Sequence, residues 1–136
     1  MKAFSLIELV LVVALLGVLG VAVIRYSPSL NPTRLGTAAV QVRSDMELAK
    51  QNAAQTGVVS GVQFVAGGAY TVYQLTTATP LKNPLTQANM VITLSATYPN
   101  VVINNNYIVE FNRLGSPTTG GGGTVTLSAT GAGTKT

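Results

Sequence analysis

Residues 4–24 read FSLIELVLVVALLGVLGVAVI, 21 residues holding one charge, Glu8. Wound as a helix, the run is ~31 Å long at about 1.5 Å per residue, which matches a hydrocarbon core of roughly 30 Å. Lys2 stands before it and Arg25 directly after it, so the flanking charge is balanced and assigns no orientation. The run is longer than the apolar stretch of a secretory signal, roughly 7–15 residues, and no Ala-X-Ala site follows it. A plain membrane anchor accounts for the length but leaves Glu8 unexplained. A carboxylate in an apolar helix costs up to ~3 kcal/mol at the bilayer centre, less near the interface, and such residues usually have a partner.

The rest of the chain is compositionally unlike this run. The whole chain, 136 residues, suits one modest domain. Charged residues make up only 9% of the whole, against about 25% in ordinary soluble domains. Thr, Asn, Ser and Gln supply the polar surface instead, and 14 Gly with 6 Pro supply turns. Cys and His are absent, so the usual zinc and thiolate sites and the Ser-His or Cys-His nucleophile pairs cannot be built. Four acidic residues are too few for a carboxylate metal cage to be expected, and no phosphate-binding loop motif is present. An enzyme is not expected, nor is a cofactor. The basic residues Lys2, Arg25, Arg34, Arg43, Lys50, Lys82, Arg113 and Lys135 are scattered, so nucleic acid is not an expected partner either.

Beyond Arg25, Pro28 and Pro32 each remove a backbone donor and restrict the residue before them, which predicts a kink or break between Tyr26 and Pro32. Asn31 then reads as an N-cap with Pro32 at the first helical position. Leu35, Ala39, Val42, Met46, Ala49 and Ala53 recur at helical spacing, and Gly57 supplies the stop. Arg43, Asp45, Glu47 and Lys50 mark the solvated face, with Glu47 and Lys50 an i,i+3 pair. From Gly57 the pattern is β. Runs 58–65 and 70–76 flank an Ala-Gly-Gly-Ala hairpin signal, and 79–87 is a loop containing Pro80 and Pro84. Strands are expected at 90–96, 101–103 and 107–112. A glycine-rich hairpin loop at 115–123 leads to a last strand at 124–128, and 130–136 reads as a frayed tail. The expected fold class is α+β. A long N-terminal apolar helix continues after a proline-induced kink into an amphipathic helix packed on a mainly antiparallel sheet.

Lys2-Ala3-Phe4-Ser5-Leu6-Ile7-Glu8-Leu9 resembles the class III signal of type IV pilins and type II secretion pseudopilins. The resemblance implies a prepilin peptidase cut between Ala3 and Phe4 and N-methylation of Phe4. It makes Glu8 the fifth residue of the mature chain, where the family keeps a glutamate; Ala3 departs from the commoner glycine before the cut. The implied organisation is a leader over 1–3, a membrane and filament-core segment over 4–27, and an extracytoplasmic globular domain over 28–136. In a filament the carboxylate of Glu8 would face the freed amine of Phe4 on a neighbouring subunit. At ~4 Å and an effective dielectric of about 20 the pair attracts by roughly 4 kcal/mol before desolvation, and its main use is to select one stagger among apolar helices. Gly17 and Gly20 weaken the helix by ~1 kcal/mol each and admit close packing. With Pro28 they are the expected points of flexibility.

Two weaker similarities, the helix Arg43-Ser-Asp-Met-Glu-Leu-Ala-Lys-Gln-Asn52 leading into Val58-Val-Ser-Gly-Val-Gln-Phe64, and Ile108-Val-Glu-Phe-Asn-Arg-Leu-Gly115 followed by Thr124-Val-Thr-Leu127, are similar to the GspH/FimT group of minor pseudopilins and pilins. The implied role is a structural subunit of a pilus or secretion pseudopilus. Its partners would be other pilin subunits, the prepilin peptidase, the inner-membrane assembly platform and, before assembly, the bacterial inner membrane. A minor subunit ranks ahead of a major pilin, and a DNA-uptake pilin ranks last. The rival from another class is a membrane-anchored binding or adhesive domain that never polymerises, which would tolerate loss of Glu8.

Overall fold

The structure, a computed structural model, describes residues 7, 10–16 and 30–136. Residues 7 and 10–16 are helical. Helix α1, Asn31–Thr56, begins afresh at Leu30, whose carbonyl accepts the Arg34 N–H at 3.0 Å. Pro32 therefore lies in the first turn, where a missing N–H breaks no helical bond and the ring meets no preceding carbonyl. Asn31 is a helical residue and not the expected cap: its Nδ2 donates to the Thr130 carbonyl at 2.6 Å, tying the helix start to the C-terminal hairpin. Gly57 ends the helix in the left-handed region, φ 71°, with its N–H on the Ala53 carbonyl at 3.0 Å, as its sequence position implied.

The expectation of one long apolar helix running on into the sheet-packed helix is corrected. Among the described residues no helix is long and apolar enough to cross a membrane. The helix on the sheet is a separate element whose start is set by Leu30 and Pro32.

One side of α1 carries Leu35, Ala38, Val42, Ala49 and Ala53 into the core. Three of these are alanines with no exposure, so the helix backbone comes close to the strands and large residues opposite fill the space. Those come mainly from a five-stranded antiparallel sheet in the order β3-β2-β1-β5-β6, comprising β1 Ser60–Phe64, β2 Ala69–Gln74, β3 Val91–Thr93, β5 Tyr107–Phe111 and β6 Pro117–Thr119. Val62 stands opposite Val72 on one side and Val109 on the other, and Phe64 opposite Tyr70 and Tyr107. This single register puts Val62, Phe64, Tyr70, Val72, Val109 and Phe111 on the helix side, where all are buried. The Phe64 and Tyr70 rings lie 5.5 Å apart, centroid to centroid.

A second, three-stranded sheet, order β4-β7-β8, closes the other part of the core with β4 Val101–Ile103, β7 Leu127–Ala129 and β8 Gly133–Lys135. Its Val101, Ile103, Leu127 and Ala129 join the same cluster as the helix.

Four stretches depart from the sequence reading. The strand expected over 90–96 stops at Thr93 and turns into a short helix, α2, Leu94–Thr97. That turn swings Leu94 into the core, and the Tyr98 N–H closes it on the Leu94 carbonyl at 2.7 Å. The loop over 115–123 contains an exposed edge strand, β6, headed by Pro117, which has no N–H to offer a further strand. The tail over 130–136 is not frayed: Gly131 and Gly133, at φ 74° and 76°, turn it back as β8 against β7. The strand before it starts at Leu127, later than the expected 124.

Candidate functional site

Every residue singled out by the N-terminal motif, Ala3, Phe4 and Glu8, and every flexibility point, Gly17, Gly20 and Pro28, lies outside the described residues. What is described there is the apolar character of the segment. Seven large apolar side chains between Ile7 and Leu16 are each 46% to 75% exposed. Runs of exposed apolar surface are costly in water and mark contacts with lipid or with other apolar elements.

The globular domain shows the reverse: its buried polar side chains are paired internally. Asp45, assigned to the solvated face by spacing, is half-buried and accepts the Tyr70 hydroxyl at 2.5 Å. One turn earlier on α1, Gln41 Oε1 accepts the Tyr98 hydroxyl at 3.0 Å. Burial, reinforced by the Asp45 carboxylate, pushes the Tyr70 phenol well above its usual range. On the outer face of the large sheet, Tyr73 lies across Gly61 and donates to Glu110 Oε1 at 2.8 Å, while Thr119 donates to the other carboxylate oxygen at 2.8 Å. Tyr73 too is raised, first by burial and then by the Glu110 hydrogen bond. Glu47 and Lys50 form the expected i,i+3 pair at 3.5 Å. Buried Ser60 takes a hydrogen bond from Asn52 at 2.8 Å, and no buried side-chain polar atom is left unpartnered among the described residues. No group of three His, Cys, Asp or Glu able to hold a metal occurs among them.

Several concavities open on the described surface, and one, a groove of about 400 Å³, lies between α1 and the gap separating the two sheets. Val42 and Met46 of α1, Tyr107 of β5 and Leu127 of β7 give it an apolar lining, with Val125 from the preceding loop. Its wall is set by glycine. The Tyr107 hydroxyl donates to the Gly120 carbonyl, and a side chain at Gly123 would collide with that same hydroxyl. The 120–123 run therefore folds down onto the ring, which a residue with a Cβ could not do. Arg43 and Lys135 stand at the rim. The sequence signal for this feature was the four successive glycines, legible as a loop but silent about the tyrosine 13 residues away. The groove's one aromatic hydroxyl is already bonded to the Gly120 carbonyl. Compared with known proteins, the chain matches no family model, no curated protein and no solved structure.

Proposed function

We propose that the chain is a structural subunit of a type IV pilus or type II secretion pseudopilus, a minor one ahead of a major one, assembled through its apolar N-terminal segment. The observation that carries the proposal is the motif at the start of that segment: Ala3-Phe4, three residues, Glu8, then an unbroken apolar run. Prepilin peptidase cuts before Phe4 and methylates it, and the inner-membrane platform moves the subunit from the bilayer into the filament. Glu8 then pairs with the Phe4 amine of a neighbour and sets register. The exposed apolar side chains of residues 7 and 10–16 support this reading, because they need lipid before assembly and neighbouring segments after it. A head-to-tail contact of this kind, repeated without closure, generates a helical filament.

The test is the intact mass of the protein from native membranes or sheared filaments. A chain starting at Phe4 with one added methyl group is expected. An uncut, unmethylated N-terminus in cells with active prepilin peptidase sinks the proposal. The second reading, an anchored binding domain that does not polymerise, would then take over, and the groove between the sheets is the observation in its favour.

A further inference from the structure

We propose that the groove receives an extended peptide segment of a different protein, one that sets carboxylates beside apolar side chains. The floor is apolar: Val42 and Leu127 are buried beneath it, and Met46, Tyr107 and Val125 pack half-buried around it. The charged side chains lining it, Arg43 and Lys135, are both cations, and neither forms a salt bridge with a described carboxylate, although Thr136 lies in the same lining beside Lys135. An apolar floor beneath unpaired cations complements an acidic, apolar segment and disfavours a basic one.

The globular domain of a second copy is a poor donor of that acid. Among the described residues Asp45 and Glu110 are held by tyrosine hydroxyls and Glu47 by Lys50. The remaining described charged side chains, Arg34, Lys82 and Arg113 among them, are cationic, so a second globular domain offers no free carboxylate side chain to the groove. The extended form of the occupant follows from β8. This strand ends its sheet and carries Lys135, so one row of its backbone groups has no strand partner. A segment lying beside it gains main-chain pairing while its side chains enter the groove. A volume of about 400 Å³ holds a few side chains, not a folded element. The inference stands whether or not the chain polymerises.

The test uses the full ¹⁵N-labelled chain in detergent micelles, titrated with the end-blocked peptide Glu-Leu-Glu-Val-Glu and with its counterpart Lys-Leu-Lys-Val-Lys. The acidic peptide is expected to give saturable shifts at the amides of Arg43, Met46, Val125 and Lys135, weakened severalfold in about 0.5 M salt. The double variant Arg43→Glu/Lys135→Glu should bind about tenfold more weakly, with its spectrum reporting an intact fold. Should that variant unfold, Arg43→Gln/Lys135→Gln must show the same direction of loss. No saturable shift up to about 5 mM peptide overturns the proposal. So does an equal response to the lysine peptide, a shift map on another face, or preferential binding of a short oligonucleotide.

Discussion

Residues 7 and 10–16, and the domain over 30–136, use apolar side chains in opposite ways. In the first, every described large apolar side chain is turned to the outside. In the second, Tyr70, Tyr73, Phe64, Leu35 and Leu94 have lost almost all their exposure, and each carboxylate has a partner. The difference teaches where each region's stability comes from. The domain satisfies itself by folding. Residues 7 and 10–16 leave their apolar side chains uncovered, so their free energy depends on what surrounds them.

The largest effect should come from the one charge in the apolar run. Under the proposed filament role, Glu8→Ala is expected to cut incorporation into sheared filaments by about tenfold or more, as loss of a buried ion pair in an apolar bundle would. The urea midpoint of the domain should not move. Immunoblotting of filament and membrane fractions reads the first, circular dichroism the second. Normal incorporation would break the comparison by showing that the segment acts only as an anchor.

Next is Gly61→Ala, which tests how closed the domain is. The new Cβ meets the Val109 carbonyl oxygen at 2.5 Å and the Tyr73 ring at about its hydroxyl, 2.9 Å away. Because the first of these is backbone, the strands must part, and a loss of about 3 kcal/mol is expected in urea unfolding. Under the proposed role, partition into the membrane fraction should be untouched.

Removing the Tyr70 hydroxyl should cost less. Tyr70→Phe leaves half-buried Asp45 without its donor, a loss of about 1–3 kcal/mol. The same tyrosines give the domain an alkaline limit. Their folded pKa values lie above the unfolded value of about 10. The folded state thus keeps a proton that the unfolded chain gives up. The stabilisation is complete below pH of about 10 and is lost as pH rises beyond it. Urea midpoints at about pH 8 and about pH 11 should show this decline, with a flatter slope in Tyr70→Phe and Tyr73→Phe. The smallest effect is Lys50→Ala, since the Glu47 pair is exposed: a change under about 0.5 kcal/mol.

Much of the domain was legible because its signals are local. Gly57 stops a helix by its own backbone freedom, and the alternation of Tyr107, Val109 and Phe111 needs only the two-residue period of a strand. Asn31 was misread for the opposite reason. Its amide had a distant alternative in Thr130, which no window around the residue contains. Asp45 was misread likewise: a carboxylate on a mildly apolar helix looks solvated until β2 brings Tyr70 to it.

By itself the sequence determined the apolar run with its lone Glu8, the helix from the second proline to Gly57, and the hairpins with strong alternation. Each of these depends on covalent geometry or on neighbours within one turn. Only the tertiary structure decided that the strands split into two sheets, that the polar tail returns as β8, and that a glycine loop over Tyr107 leaves a groove with two cations at its rim. Apart from the β7–β8 hairpin, whose paired residues lie four to eight positions apart, those features rest on contacts between more distant residues. Their energies come from closing the core around α1, which no local pattern encodes.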